Sequence, residues 1–153
     1  MSKSVLVISG YGLNCEEETL HGFVKNGFKG SIFHLNDLAD DQKMLLQFQV
    51  LAIPGGFSYG DDTGSGNAFA QRIRLSLWDT LLEFINRDTL TIGICNGCQI
   101  LANLGLVPGF GGNYGERNVA VTYNLPAQYQ CRWVDLIADQ GCGSPWLRGI
   151  DRL

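Results

Sequence analysis

The hydrophobic positions of this chain fall into short, nearly continuous runs that alternate with stretches of helical spacing. Val5 to Ser9 is apolar and β-branched and is closed by Gly10, a pattern that predicts a parallel strand buried on both faces. The next segment has Asn14 as a helix N-cap, with Glu17 three residues on. Glu16 and Glu18 add negative charge to its first turn, and Asn26-Gly27 ends it. Ser31 to Leu35 reads as a second strand, Asp40 to Phe48 as a second helix, and Val50 to Ile53 as a third strand stopped by Pro54-Gly55-Gly56. Asn67 to Ile85 predicts a longer helix with Ile73, Leu77, Leu81 and Phe84 on one face, and Leu90 to Ile94 a fourth strand of the buried type. Then Ile100, Leu101 and Leu104 recur at helical spacing, with Gly105 placed as the C-terminal cap. Strands alternating with helices predict an α/β fold, a three-layer open sheet that is mostly parallel.

After Gly105 the pattern changes. Leu106 to Tyr114 is rich in glycine, and Val119 to Tyr123 and Arg132 to Ile137 read as two strands separated by a turn at Asn124-Leu125-Pro126. These predict an antiparallel C-terminal extension.

Composition narrows the class. A chain of 153 residues, 45% hydrophobic and 17% charged, fits a single soluble globular domain over 1–153, and no repeat or linker divides it. A net charge of -4 argues against a nucleic-acid or anionic-membrane partner. With no apolar run of about 18 residues and no signal-type leader, the expected location is the cytoplasm. Five cysteines, Cys15, Cys95, Cys98, Cys131 and Cys142, make an odd count without a scaffold spacing, which fits reduced thiols. No metal site is expected. Cys95-x-x-Cys98 has no second pair at finger spacing, and neither His21 nor His34 stands in a ligand cluster.

The chemistry concentrates in two segments. Cys95 stands between Gly93 and Gly97 where a strand runs into a helix, the thiol counterpart of the serine elbow G-x-S-x-G. A corner of that kind strains the backbone, needs small neighbours, and puts the sulfur at a helix N-terminus, where unpaired amides and the dipole favour negative charge. A free cysteine is often just a small buried hydrophobe, but the glycine bracket at the corner argues for a nucleophile. The second segment is the glycine-rich loop from Pro54 to Asn67, at the carboxyl end of the third strand, where open α/β sheets bind ligands. Adjacent glycines there let backbone amides approach an oxygen closely. The loop lacks the phosphate-binding pattern G-x-x-x-x-G-K-[ST], and Gly10-Tyr11-Gly12 begins a dinucleotide fingerprint whose third glycine position is Cys15.

Together Pro54-Gly-Gly-Phe-Ser-Tyr-Gly-Asp61 and Gly93-Ile-Cys-Asn-Gly-Cys-Gln99 resemble the two signatures of the class I, triad-type glutamine amidotransferases. More narrowly they resemble those of the glutaminase subunits and domains of phosphoribosylformylglycinamidine synthase. The resemblance spans nearly the whole chain, including the opening Val5 to Glu16, the segment Leu106 to Gly112, and Arg132-Trp133 ahead of Ser144-Pro145. It implies a flavodoxin-like sheet and a glutaminase in which Cys95 attacks the side-chain amide of glutamine, forming a glutamyl thioester and releasing ammonia. The amides of Gly56, Phe57 and Asn96 would hold the oxyanion, and Gly55, Ser58, Asp61 and Gln99 would help hold the substrate. The implied partner is an ATP-dependent synthetase that converts formylglycinamide ribonucleotide to formylglycinamidine ribonucleotide. ATP and magnesium are expected on that partner and no cofactor on this chain.

The resemblance also implies a histidine base in a His-Gly-Glu type motif and a second acidic motif. Both are expected beyond the position of Leu153. The chain is therefore expected to be a C-terminally incomplete glutaminase domain, with His21 and His34 structural or surface residues rather than bases. Two rival readings remain. One is an inactive, truncated subunit that docks on a synthetase or binds glutamine; the other treats Cys95-Asn96-Gly97-Cys98 as a thioredoxin-like dithiol. The glycine-rich loop and the glycine before Cys95 count against the second.

Overall fold

A computed structural model describes residues 3–139, 141, 143–150 and 152; Cys142 lies outside them. The chain forms two units, one running to Val121 and the other from Thr122 onward.

The first unit is built on a four-stranded parallel sheet in the order β2-β1-β3-β4. Its strands are β1 (Ser4–Ser9), β2 (Lys29–His34), β3 (Val50–Ile53) and β4 (Leu90–Gly93). In register, Val5 faces Gly30 on one side and Val50 on the other, and Ile53 faces Gly93. β1 and β3 are flanked on both edges, and Val5 to Ile8 and Val50 to Ile53 are all buried, as continuous apolar runs require. β4 departs from its expected burial. It pairs only with β3 among the described residues, so its four residues are half-buried.

The helices are α1 (Glu16–Lys25), α2 (Leu35–Asp40), α3 (Asn67–Ser76), α4 (Trp78–Ile85) and α5 (Asn96–Leu104). Three boundaries differ from the sequence reading. Asn14 is not the cap of α1: Cys15 holds that position and makes no side-chain capping bond. The second helix starts at Leu35 because His34 caps it. The His34 Nδ1 accepts the Asn36 N–H (3.1 Å), while the Asp37 carboxylate accepts the His34 N–H (3.3 Å), a capping box that a histidine does not ordinarily announce. Gln42–Gln47 is a separate 3-10 turn. The long helix breaks at Leu77 (φ -143, ψ 1), yet Ile73, Leu77, Leu81 and Phe84 all lie in the core. Burying a continuous apolar stripe outweighs keeping one straight helix.

The core joins these residues to Leu6, Ile8, Leu51, Ile53, Phe69, Ile100 and Leu104. Gly105 ends α5 in the left-handed conformation, as its position predicts. Arg74 lies over the Trp78 ring at 4.5 Å and donates to the carbonyls of Leu104 (2.7 Å) and Gly115 (3.0 Å). One guanidinium thus fixes α3, the end of α5 and the chain that follows.

The expected antiparallel extension is not formed. Val119 to Tyr123 and Arg132 to Ile137 adopt no strand, and Val121, Tyr123, Val134 and Leu136 are exposed. A two-stranded ribbon needs a packed apolar face, which these residues lack. The second unit contains a 3-10 turn at Pro145–Leu147, an isolated bridge between Ile137 and Arg152, and an ion pair from Arg152 to Asp135 (2.6 Å). Among the described residues no helix is long and apolar enough to cross a membrane, and no cluster of potential metal ligands occurs.

The strand order places a reversal between the adjacent strands β1 and β3, and the loops after both leave the same sheet edge. That edge is where an open sheet forms a ligand crevice.

Candidate active site at the Cys95 elbow

Cys95 is the N-cap of α5 and sits at φ 53, ψ -111. A left-handed backbone at a residue with a side chain costs about 1–3 kcal/mol, and such strain persists only where its surroundings enforce it. Two glycines do so. A Cβ on Gly93 would lie 2.6 Å from the Gly97 carbonyl carbon, and a Cβ on Gly97 would fall on the Ile53 carbonyl oxygen. With neither present, α5 starts directly against the ends of β3 and β4. The Ile94 N–H donates to Ile53 (3.0 Å), and the Gly97 and Cys98 N–H groups turn back to Ile94 (2.9 Å) and Cys95 (3.0 Å). Cys95 is exposed and its thiol is free. Cys98 and Cys131 are exposed free thiols, and Cys15 is a half-buried one.

The loop after β3 is bound to the loop after β1 as a short antiparallel ribbon. Asn14 N–H donates to Gly55 (3.0 Å), Phe57 N–H to Gly12 (2.9 Å) and Tyr59 N–H to Tyr11 (2.7 Å). Gly56 has φ +145, and a Cβ there would lie 2.7 Å from the Leu13 Cα; only glycine fits. The ribbon passes beside the nucleophile: the Cβ position of Gly55 is 3.4 Å from the Cys95 Cβ and 3.6 Å from the Cys15 Sγ. One expectation changes here. The Phe57 amide is consumed by Gly12, while the Gly56 and Asn96 N–H groups have no backbone acceptor among the described residues. The amides available at the corner are therefore those of Gly56 and Asn96.

Asn96 and Ser58 are the buried polar residues of the described chain, and they meet. The Asn96 Oδ1 accepts the Ser58 N–H (3.2 Å), and its Nδ2 donates to the Asp61 Oδ1 (3.1 Å) and to the Gln99 Oε1 (2.9 Å). Asp61 further accepts the Ser65 hydroxyl (3.1 Å) and the Gly66 N–H (3.4 Å). The Ser58 hydroxyl is buried and makes no hydrogen bond. An unpaired buried hydroxyl on this loop is where a bound ligand's polar group would go.

Sequence reasoning missed the layer outside this network. Tyr11 and Tyr59 stack at 4.8 Å, and the Arg72 guanidinium reaches the Tyr11 hydroxyl (3.1 Å) and the Asn36 Oδ1 (3.2 Å). Burial, with the neighbouring Tyr11 phenol adding to it, raises the Tyr59 phenol above its ordinary range. Among the described residues, the non-glycine ones with positive φ are Tyr11, Tyr59, Asp61 and Cys95, and all belong to these two loops and the elbow. Strain gathered in one place marks a functional site. The tyrosines followed by glycine in these two loops, Tyr11-Gly12 and Tyr59-Gly60, were the available signal.

Neither histidine serves the elbow. His34 ends β2, three strands from the end of β4, about 14 Å at ordinary strand spacing, and its Nδ1 is engaged by Asn36. His21 lies exposed on α1.

Residues 2–152 match the model of a family described as CobB/CobQ-like glutamine amidotransferase domain. A protein of Methanococcus maripaludis strain C7 named phosphoribosylformylglycinamidine synthase subunit PurQ is 50% identical over 96% of this chain and 54% of its own length. The PurQ subunit of Dehalococcoides mccartyi is 36% identical over 100% of this chain and 60% of its own. Among solved structures, one titled "Structure of PurLQS from Thermotoga maritima" aligns with a TM-score of 0.66 and 33% identity, covering 90% of this chain and 56% of that one. The chain thus spans little more than half the length of these relatives. By the match over residues 2–152, it belongs to the CobB/CobQ-like glutamine amidotransferase domain family.

Proposed function

We propose that this chain carries the glutamine-cleaving nucleophile of a phosphoribosylformylglycinamidine synthase. The observation that carries the reading is the Cys95 elbow, an exposed thiol on a strained left-handed corner beside Gly55, with the neighbouring Gly56 and Asn96 amides free of backbone acceptors. The Cys95 thiolate adds to the side-chain amide carbon of glutamine, forming the C–S bond and moving the carbonyl electron pair onto oxygen. The two amides hold that oxyanion. As it collapses, the C–N bond breaks and the nitrogen leaves with an added proton as ammonia. Water then cleaves the thioester, giving glutamate and restoring the thiol. Phe57 takes no part in the oxyanion site while Gly12 holds its N–H. The unpaired Ser58 hydroxyl and the NH2 group of Gln99 contact the substrate, and Gly55 leaves room for it.

The ammonia passes to an ATP-dependent synthetase partner, which makes formylglycinamidine ribonucleotide in the cytoplasm and holds the ATP and magnesium. The names of the relatives, subunits called PurQ and a structure of PurLQS, support that partner. The test is labelling of Cys95 by a glutamine-like chloroketone, mapped by mass spectrometry with and without glutamine. Labelling confined to Cys95 and suppressed by glutamine is expected. Label spread over Cys98 and Cys131, or indifferent to glutamine, would overturn the reading.

A further inference from the structure

We infer that Asp61 is a positioning residue that fixes which way the Gln99 side-chain amide faces, rather than a group that touches glutamine. The inference rests on the glutaminase reading above. A primary amide presents a donor and an acceptor of nearly equal size, so its direction must be imposed by its neighbours. Here the imposition runs through one chain of contacts. The Asp61 Oδ1 accepts, and the atom of Asn96 that faces it (3.1 Å) is the donor Nδ2. That leaves the Asn96 Oδ1 for the Ser58 N–H (3.2 Å), a backbone group that can only donate. The second Nδ2 proton then goes to the Gln99 Oε1 (2.9 Å). With its oxygen bound to Asn96, Gln99 is left with its NH2 group, which offers donors alone.

Asp61 is itself prevented from turning. It stands at φ 56, with its second oxygen held by the Ser65 hydroxyl and its first shared with the Gly66 N–H. Because Asn96 is fully buried, its carboxamide has no water with which to exchange partners. Asp61, acting with the Ser58 N–H on Asn96, therefore selects the acceptor groups of the ligand, a carbonyl or carboxylate oxygen.

The decisive experiment exchanges the pair. In Asp61→Asn alone, position 61 can present either atom, and only the Ser58 N–H still opposes a turned Asn96 amide. In the double variant Asp61→Asn/Asn96→Asp, the amide introduced at position 61 donates to the carboxylate introduced at position 96, which still accepts the Ser58 N–H. Gln99 must then turn its NH2 inward and its oxygen outward, with only the long Gly66 contact given up. Two rates at Cys95 are compared, by glutamine-like chloroketone and by iodoacetamide, the second correcting for thiol reactivity. Thermal unfolding is followed in parallel. Asp61→Asn is expected to lose about tenfold in chloroketone selectivity, the scale of one misdirected hydrogen bond to a charged group. The double variant is expected to recover the melting temperature but not the selectivity. Recovery of both would mean that Asp61 serves stability alone and would overturn the inference, as would unchanged selectivity in Asp61→Asn. If Asp61→Asn fails to fold, the soluble double variant still decides. A wild-type protein without chloroketone selectivity would instead refute the glutaminase reading itself.

Discussion

The Phe57 N–H donates to the Gly12 carbonyl oxygen at 2.9 Å, and this bond joins the loop beside the nucleophile to the end of the first strand. The loop after β3 is thereby part of the sheet's carboxyl edge rather than a free flap. The same ribbon sets Gly55 beside Cys95 and takes the Phe57 amide away.

Gly12 is the exposed end of that bond and carries φ +99, and a Cβ there would lie 2.6 Å from the Phe57 carbonyl oxygen. Gly12→Ala should destabilise the protein by about 1–3 kcal/mol and displace the loop. The measurement is paired: chloroketone labelling of Cys95 should fall severalfold, while iodoacetamide labelling stays near wild type. Equal loss of both would place the effect on the thiol instead of the loop.

Gly97→Ala should be more damaging. Its added methyl meets the Ile53 backbone carbonyl first, and both β3 and the start of α5 resist. A loss on the order of 3 kcal/mol or more is expected from overpacking a backbone contact, read from urea unfolding. A variant as stable as wild type would show that α5 can move off the sheet, which would remove the enforced strain at Cys95.

How far the site was legible depends on how local its cause was. The elbow could be read because Gly93, Cys95 and Gly97 are close in sequence and each is required by one corner. β1 and β3 could be read because burial on both faces leaves an unbroken apolar run. The start of α2 could not, since a histidine took the capping position that serine or aspartate usually fills. The break at Leu77 was hidden because the apolar stripe continues through it. The contacts of Asp61 were out of reach for a different reason. Its partner Asn96 is 35 residues away, and only the folded structure shows that its carboxylate is already occupied.

The redox alternative makes its own claim about Cys98. In a dithiol mechanism both sulfurs are needed, whereas here Cys98 lies within the first turn of α5 and its thiol belongs to none of the site's hydrogen bonds described above. Cys98→Ser should leave glutamine-protected labelling of Cys95 unchanged, and Cys95→Ser should abolish it. Peptide mapping after peroxide treatment should find no dominant Cys95–Cys98 disulfide. A reversible couple between the two thiols would revive the dithiol reading.

The last prediction concerns turnover by these 153 residues. Acyl transfer at a cysteine needs a group that manages the proton of the thiol and of the departing ammonia, and a well-placed base or acid contributes about a hundred- to ten-thousand-fold. Among the described residues the two histidines are accounted for elsewhere: His34 is engaged by Asn36 at the far edge of the sheet, and His21 lies exposed on α1. The carboxylate bound to the elbow's Asn96, that of Asp61, is also occupied by Ser65 and Gly66. This chain should therefore release little or no ammonia from glutamine, although Cys95 remains open to alkylation. Joining it to the remaining length of a PurQ relative, of which it spans 54% in Methanococcus maripaludis, should restore release, and Cys95→Ala should abolish it again. Ammonia measured for the chain, the extended protein and both alanine variants separates the cases. Rapid Cys95-dependent release by the short chain alone would show that a residue within it handles the proton. A silent extended protein that still binds its synthetase would favour a docking subunit without catalysis.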